Sequence, residues 1–325
     1  MKFFAATLFA VAATANSDFL EHVAEYGLSY GTMEEYNFRL SNWANVDKVI
    51  REHNVTESSY KLGHNKLSTW TQAEYKRLAG RAQTKLVKNV GAPVTADPPA
   101  SIDWRTLGAV TPVKDQGQCG SCWSFSTTGC LEGIWQISGN TLTSFSESQL
   151  LDCDYKLLKN KACNGGLPTW AYSYYTDGTG TAQGMTEADY PYVAARETCA
   201  YDNAKATKMI VTSQGAPTSD NVVSMKSAVA VQPVSVGVDA SGIRFQAYKS
   251  GVFDATCGTN LDHATLVVGY GTDADTNQEY WIMKNSWGSS WGDEGYMRLV
   301  IPGDGPGQCG IQNDATWAKT GNATA

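Results

Sequence analysis

The eight cysteines of this 325-residue chain all lie beyond residue 118. They stand at positions 119, 122, 130, 153, 163, 199, 257 and 309. Disulfides can therefore cross-link only the second part of the chain, and the first part must fold without them. Residues 16–96 hold ten basic and nine acidic residues and three of the four histidines, His22, His53 and His64. Residues 97–325 hold 14 basic and 23 acidic residues, a formal charge of −9, and one histidine, His263.

The segment that joins the two parts, KLVKNVGAPVTADPPAS (residues 85–101), has neither a helical nor a strand period. Its Pro, Gly and Ala content is typical of an exposed linker, so the sequence predicts two units. The acidic second unit argues against a nucleic-acid partner, because such a surface needs clustered Lys and Arg.

The first 15 residues have the layout of a secretion signal. One lysine precedes an apolar run from Phe3 to Ala13, and Ala13-Thr14-Ala15 has the small-x-small pattern of a cleavage site. The run is too short to cross a bilayer, and no later segment approaches the ~20 apolar residues of a membrane span. We therefore expect a removable signal over residues 1–15, the secretory pathway and no membrane anchor.

Cys119 and Cys122 are separated by two residues in the stretch KDQGQCGSCWSFS. A metal site would need a second ligand cluster, which the sequence lacks, and a dithiol redox motif usually opens a helix of a small α/β unit. Gly117 and Gly120 instead predict a turn, followed from residue 121 by about four turns of helix. A thiol at the positive end of a helix is suited to nucleophilic catalysis, with no metal or cofactor.

A cysteine nucleophile in this unit has no imidazole other than His263 to act as its base. His263 begins an apolar, β-branched run that predicts a strand, and Asn285 follows a second such run in YWIMKNSWG. A lone histidine is more often structural than catalytic. An amide oxygen that accepts from one ring nitrogen would, however, fix the tautomer and turn the other nitrogen toward the thiol.

Together, CGSCW, the histidine 141 residues and the asparagine 163 residues after Cys122, CNGG and NSWG resemble the papain-like cysteine proteases, and within them the cathepsin L branch. The resemblance implies an α+β fold of two lobes: a helical lobe headed by Cys122 and an antiparallel β-barrel over roughly residues 208–300. It also implies a zymogen, in which residues 1–15 are the signal peptide, 16–96 a mostly helical inhibitory pro-domain and 97–325 the peptidase domain.

The resemblance assigns a role to each catalytic residue. Cys122 is the nucleophile, His263 is its ion-pair partner and general acid, and Asn285 orients the imidazole. Gln116 and the backbone N–H of Cys122 form the oxyanion hole. Trp287 shields the hydrogen bond between His263 and Asn285; without the motif it would be an ordinary core aromatic residue.

Substrate-binding residues are also implied by the resemblance. They are Gly165, Gly166, Leu167, Pro168, Gly237, Leu261, Asp262, Ala264, Trp287 and Asp314. The bare backbone of the glycine pair would bind an extended peptide. An apolar slot would take Leu or Phe as the second residue before the scissile bond, and Asp314 at its end would add Arg, unless this carboxylate faces solvent. Because residues 97–325 hold no histidine besides His263 that could bind a substrate carboxylate, we expect an endopeptidase.

Six of the cysteines permit 15 disulfide connectivities, so the sequence by itself leaves the pairing open. The resemblance implies Cys119–Cys163, Cys153–Cys199 and Cys257–Cys309. Cys122 stays free as the nucleophile. Cys130 is left over, and we expect a buried, inert thiol.

The pro-region has its own pattern. One helix face is expected to carry Glu35, Arg39, Trp43, Val46, Ile50 and Asn54. This face resembles the family's pro-region helix signature, with Val46 in place of the usual Asn. The following GHNKLST has Leu67 and Thr69 where the family has Phe and Asp. The pro-region of such enzymes runs through the cleft in the direction opposite to a substrate and blocks it. With Thr69 in place of the aspartate, the sequence does not decide whether acid triggers release of the pro-region.

Partners and location are implied by the same resemblance. We expect protein and peptide substrates, the chain's own pro-region as inhibitor, cystatin-type inhibitors and a monomer, in a lysosome, a digestive vacuole or outside the cell. Asn54 and Asn322 begin glycosylation sequons. Two alternatives remain: a catalytically silent relative that acts by binding, and a transglutaminase-type acyl transferase.

Overall fold

The computed structural model describes residues 16–92, 94, 97–154, 159–176 and 182–323. The predicted signal segment, residues 1–15, lies outside them. The helices are α1 (16–25), α2 (Met33–Asn54), α3 (Gln72–Tyr75), α4 (Cys122–Ile137), α5 (Glu147–Cys153), α6 (Pro168–Tyr174), α7 (Val222–Val231) and α8 (Ile243–Gln246), with 3-10 turns at Lys76–Leu78 and Gln308–Gly310. The strands are β1 (Tyr60–Leu62), β2 (Ile102–Asp103), β3 (Met209–Gly215), β4 (Val234–Val238), β5 (Tyr248–Phe253), β6 (His263–Thr272), β7 (Glu279–Lys284), β8 (Tyr296–Val300) and β9 (Ala315–Asn322). Within these ranges, every helix falls short of the length or the apolarity that a membrane crossing requires.

The strands form one sheet in the order β1-β5-β8-β7-β6-β4-β9-β3, and β2 pairs with β6. The β lobe was expected over roughly residues 208–300, but the sheet is larger. It also includes β9, which ends at Asn322, and β1, which belongs to the first unit. The pairing is also not wholly antiparallel, since Val252 and Phe253 of β5 pair in parallel with β8. Hydrophobic periodicity predicts strands but not their partners, so the sequence could not show either feature.

Helix α4 is buried along nearly its whole length, because β6 and β9 pack on one side and α5 and α6 on others. Its glycines allow this close packing: a Cβ at Gly129 would lie 2.8 Å from the Leu266 side chain of β6. Apolar residues that include Trp123, Leu131 and Trp135 fill the core beneath it. The predicted helix is therefore confirmed, and it begins at Cys122.

The predicted face of α2 is also confirmed. Trp43, Val46 and Ile50 are buried, and Asn54 at the end of the helix hydrogen-bonds both the N–H and the C=O of Leu62 in β1. Several apolar side chains of the first unit belong to the same hydrophobic core as those of the catalytic unit. The two units therefore share a core in this form of the chain.

The linker has no regular secondary structure in its described residues, as expected, but it is tied to the catalytic unit. Lys88 Nζ lies 2.6 Å from an Asp220 oxygen, and the N–H groups of Asn89 and Gly91 donate to side-chain oxygens of the 218–219 segment at 3.0 Å. The linker is thus bound to the surface of the catalytic unit and is not a free spacer.

Three disulfides join Cys119 to Cys163, Cys153 to Cys199 and Cys257 to Cys309, the same pairs that the family resemblance implied. Cys119 therefore cannot form a redox pair with Cys122. The two free cysteines are Cys122 and Cys130, and both are buried. Cys130 contacts the carbonyl of Pro233 at 3.4 Å on the face of α4 that packs against β4.

Candidate active site

Cys122 is the first residue of α4, directly after the Gly117–Gly120 turn. Gly117 has a φ of +60°, a left-handed conformation that glycine adopts without strain. The 16-residue helix directs the positive end of its dipole toward the sulfur. The N–H of Ala264 donates to Cys122 Sγ at 3.4 Å, which brings the start of β6 to the thiol.

His263 is the first residue of β6, and Asn285 follows the last residue of β7. Because these strands are antiparallel neighbours, their ends bring the two side chains together. His263 Nε2 lies 2.9 Å from Asn285 Oδ1, so Nδ1 is the nitrogen left for a partner in the cleft. Trp287 is buried, with its ring centroid 4.8 Å from that of His263.

The Gln116 side chain lies in the same cleft with its amide N–H groups fully used. Nε2 donates to the Cys119 carbonyl at 2.7 Å and to the carbonyl of Leu78, in the first unit, at 3.1 Å. The Ser286 hydroxyl donates to Gln116 Oε1 at 2.7 Å, which fixes the direction of the amide. The sequence did not single out Ser286, although it is adjacent to the NSWG motif.

A segment of the first unit, residues 78–82, crosses the cleft above these residues. Gly166 donates its N–H to the Gly80 carbonyl at 2.9 Å and accepts the Ala82 N–H at 2.8 Å. This pairing is parallel, and Arg81 lies opposite Gly166. The Arg81 N–H also donates to the Asp262 carbonyl at 3.0 Å. The segment is therefore bound on both sides through its backbone.

Gly165 and Gly166 differ in what requires glycine. Gly165 has a φ of +105°, a conformation that side chains rarely adopt. A Cβ at Gly166 would lie 2.2 Å from Asn160 Oδ1. Asn160, which the sequence did not single out, also accepts the N–H of Leu167 at 2.9 Å, so it holds this edge of the cleft in place.

The predicted slot is present and is occupied by Arg81. Its lining includes Leu167, Pro168, Gly237, Ala264 and Asp314. The Arg81 side chain is 5% exposed; its Nη2 pairs with Asp314 Oδ2, and its Nη1 donates to the Leu261 carbonyl at 3.3 Å. Asp314 faces the slot, which removes the alternative of a solvent-facing carboxylate. The role of Arg81 had no signal in the sequence, because it depends on contacts with residues some 180 to 230 positions away.

Burial under this segment governs the ionisation of the reactive groups. It raises the pKa of the Cys122 thiol to about 11 and lowers the pKa of His263 to about 4, although the hydrogen bond that His263 donates to Asn285 opposes the second shift. Both groups are therefore neutral over the range between these values. Burial in the covered cleft therefore disfavours the thiolate and the imidazolium relative to their neutral forms.

The comparisons with known proteins agree with both units. Residues 98–319 match the family "Papain family cysteine protease", and residues 19–75 match "Cathepsin propeptide inhibitor domain (I29)". The chain is 43% identical over 276 residues to the probable cysteine protease RD21B of Arabidopsis thaliana, which covers 83% of this chain and 58% of that relative's length. It is 41% identical over 298 residues to the thiol protease SEN102 of Hemerocallis sp., covering 88% of this chain and 81% of the relative.

Among solved structures, the recombinant stem bromelain precursor superposes with a TM-score of 0.85 at 35% identity, covering 94% of this chain and 99% of that one. This similarity extends over the propeptide and the catalytic unit together. The chain thus belongs to the papain family of cysteine proteases and carries a cathepsin-type inhibitory propeptide.

Proposed function

We propose that this protease is the zymogen of an endopeptidase in which Cys122 is the nucleophile, His263 the proton carrier and Asn285 the residue that orients the imidazole. The observation that carries the proposal is the docking of the Leu78 carbonyl on Gln116 Nε2, which also donates to the Cys119 carbonyl in the turn before Cys122. A backbone carbonyl at this point stands where a substrate carbonyl would bind. The pro-segment therefore occupies the reaction site itself and not merely the cleft entrance.

In the proposed reaction, the Cys122 thiol gives its proton to His263, and the thiolate attacks the carbonyl carbon of the scissile peptide. The C–S bond forms as an electron pair moves onto the carbonyl oxygen, which Gln116 Nε2 and the Cys122 N–H stabilise. The imidazolium then protonates the leaving amine as the C–N bond breaks. Water, deprotonated by His263, hydrolyses the thioester and restores the thiol.

The test compares the two free cysteines in the activated enzyme. Cys122→Ala should reduce kcat on an internally quenched peptide by at least about a thousandfold, because the thiol that attacks the peptide carbonyl is lost. Cys130→Ala is the matched control and should retain most of the activity. Product analysis should show cuts within the peptide rather than release of C-terminal dipeptides. Equal losses in both folded variants, or full activity without Cys122, would contradict this assignment. Such a result would favour a catalytically silent relative or a different enzyme.

We further propose that the slot accepts Arg, as well as Leu and Phe, as the second residue before the scissile bond. The Arg81–Asp314 pair supports this, because the pro-segment already places a guanidinium there with its methylenes between apolar walls. The guanidinium gives the partly buried Asp314 carboxylate a charged hydrogen-bond partner.

Asp314→Ala should lower kcat/KM for a substrate with Arg at this position by about tenfold or more, equivalent to about 1.4 kcal/mol. The matched substrate with Leu should be cleaved as well as before, since its side chain needs only the apolar walls. Asp314→Asn should behave like the alanine variant if charge is what matters. A similar loss for both substrates would argue for a structural effect of the substitution.

The sequence features outside the active site bear on targeting, processing and glycosylation of the chain. We propose that residues 1–15 direct it into the secretory pathway, toward a lysosome, a digestive vacuole or the exterior, and that the boundary between pro-domain and peptidase lies near residues 96–97. We also propose a monomer that cystatin-type inhibitors can bind once the cleft is open.

Of the two glycosylation sequons, we expect the one at Asn322 to carry the glycan, because both side-chain amide atoms of Asn54 are hydrogen-bonded to the Leu62 backbone. Thr324 of the Asn322 sequon lies outside the described residues.

A further inference from the structure

Two histidines lie together in the core of the pro-domain. The ring centroids of His22, on α1, and His64, just after β1, are 5.5 Å apart. Trp43 stacks on His64 at 4.3 Å, and Phe19 and Tyr26 complete the aromatic surroundings of His22. His22 is 4% exposed, and neither of its ring nitrogens has a hydrogen-bond partner among the described residues.

His64 is flanked by residues that attach the pro-domain to the catalytic unit. The N–H of Gly63 donates to the Ala247 carbonyl at 2.8 Å, and Asn65 Nδ2 donates to the Gln246 carbonyl at 2.8 Å. Gln246 Nε2 in turn donates to the Leu67 carbonyl at 2.8 Å. A shift of His64 would therefore displace the docking contacts on either side of it.

The charges around the pair favour at most one proton. Asp47 Oδ1 lies 3.3 Å from His64 Nε2, while Arg51 binds both Asp47 and Asp18 and faces the same ring. At the edge of the cluster, burial and the neighbouring Glu25 carboxylate raise the pKa of Tyr26. Among the described residues, the His22 ring contacts aromatic rings and His64 and has no hydrogen-bond partner, so an imidazolium there would be buried without a paired carboxylate.

These surroundings set the direction of both shifts. Burial, reinforced by His64, lowers the pKa of His22 to about 4. Burial also lowers the pKa of His64, against the pull of Asp47. A histidine whose pKa is lower in the packed cluster than the ordinary 6.5 binds fewer protons there than when the cluster opens to water. The cluster is therefore most stable above about pH 6.5 and loses stability as the pH falls from 6.5 toward 4.

The ion pair between Arg39 and Glu74 in the pro-domain does not change its charge in that pH range. Arg39 binds Glu74 through two hydrogen bonds, of 2.6 and 2.8 Å, and holds the pKa of that carboxyl near 2. Position 69, where an aspartate was expected from the family, is a buried threonine whose carbonyl accepts from Arg39. Neither feature supplies a group that changes charge between pH 4 and 6.5.

We propose that His22 and His64 are the acid sensor of this zymogen: protonation of both separates α1 from the Trp43 face of α2, displaces the Gly63–Leu67 attachment and frees the cleft. The proposal rests on the inhibitory role of the pro-domain but not on the substrate preference of the enzyme. It assigns to a histidine pair the function that Thr69 cannot perform.

The first test is a direct titration. The Cys122→Ala zymogen cannot process itself, and its four histidines give four ring signals when they are ¹³C-labelled. His22→Phe, which loses no hydrogen bond, and His64→Gln assign two of these signals. We expect His22 and His64 to stay neutral well below pH 6.5 and to titrate together with release of the pro-domain. Ordinary titration of both rings near 6.5 in the docked zymogen would overturn the proposal.

The second test measures activation of the Cys122-containing zymogen. His22→Phe/His64→Gln should activate about tenfold more slowly than the parent at about pH 4.5, with its pH midpoint shifted downward. His53→Gln is the matched control, a third pro-domain histidine outside the pair, and should activate like the parent. All the activated enzymes should have the same kcat/KM, so a failure of the proposed catalysis would be seen separately.

An unchanged activation profile in the double variant, or a change no larger than that of His53→Gln, would refute the sensor. If the double variant does not fold, His22→Phe alone keeps the ring packing of the cluster and is compared in the same way.

Discussion

Single residues of the pro-segment decide the chemistry of the closed cleft. The Leu78 carbonyl accepts from Gln116, and His263 faces the same carbonyl, so no position remains for a substrate oxygen. Burial under this segment also removes the water that a thiolate and an imidazolium need. Inhibition therefore has two components, occupation of the site and suppression of the ion pair.

The second component can be measured by alkylation of Cys122 with a small reagent, at pH values where the zymogen stays intact. Because burial raises the pKa of this thiol to about 11, the rate should keep rising with pH beyond 8 without reaching a plateau. After removal of the pro-domain, the rate should be high and nearly flat through neutral pH. Cys130→Ala should be used in both samples to exclude the second thiol. A plateau near neutral pH in the intact zymogen would show that the ion pair already exists there.

At the scale of elements, the segment 78–82 is held by a close approach of two backbones. A Cβ on Gly80 would lie 1.9 Å from the carbonyl oxygen of Gly120, in the turn before α4. Neither backbone can yield without moving the turn that positions Cys122. The closeness of the segment to the thiol therefore depends on a glycine at position 80.

Gly80→Ala should produce a zymogen that leaks activity at neutral pH. We expect cleavage of a small fluorogenic substrate to rise by about tenfold or more over the parent zymogen, the equivalent of about 1.4 kcal/mol of weakened docking. Gly31→Ala is the matched control, since a Cβ there meets no atom within 4 Å and the φ is not positive. Equal leakage in the two variants would mean that a general loss of pro-domain stability is responsible.

For the whole molecule, the pro-domain is a part of the catalytic sheet as long as it is attached. Strand β1 pairs with β5, and the Val252 N–H donates to the Ser59 carbonyl at 2.7 Å. Apolar residues of both units share one core, so release of the pro-domain uncovers a sheet edge and part of that core.

Hydrogen exchange should detect this change. Removal of the pro-domain should speed exchange of the Val252 amide by about tenfold or more, because its acceptor is lost. Amides of β6 serve as the internal control, since β6 stays between β4 and β7 and should be unaffected. Unchanged protection at Val252 would show that another group replaces Ser59 in the activated enzyme.

What the sequence determined by itself was local. The helix that begins at Cys122, the strand that begins at His263 and the buried face of α2 follow from periodicities and turn residues within a few positions of each other. The tertiary structure decided whatever depends on contacts between distant segments. The parallel pairing of β5 with β8, the insertion of Arg81 beside Asp314, 233 residues away, and the neutral state of the buried cysteine and histidine are of this kind. Local propensity cannot encode them, because their energies come from burial and pairing that exist only after distant segments of the chain come together.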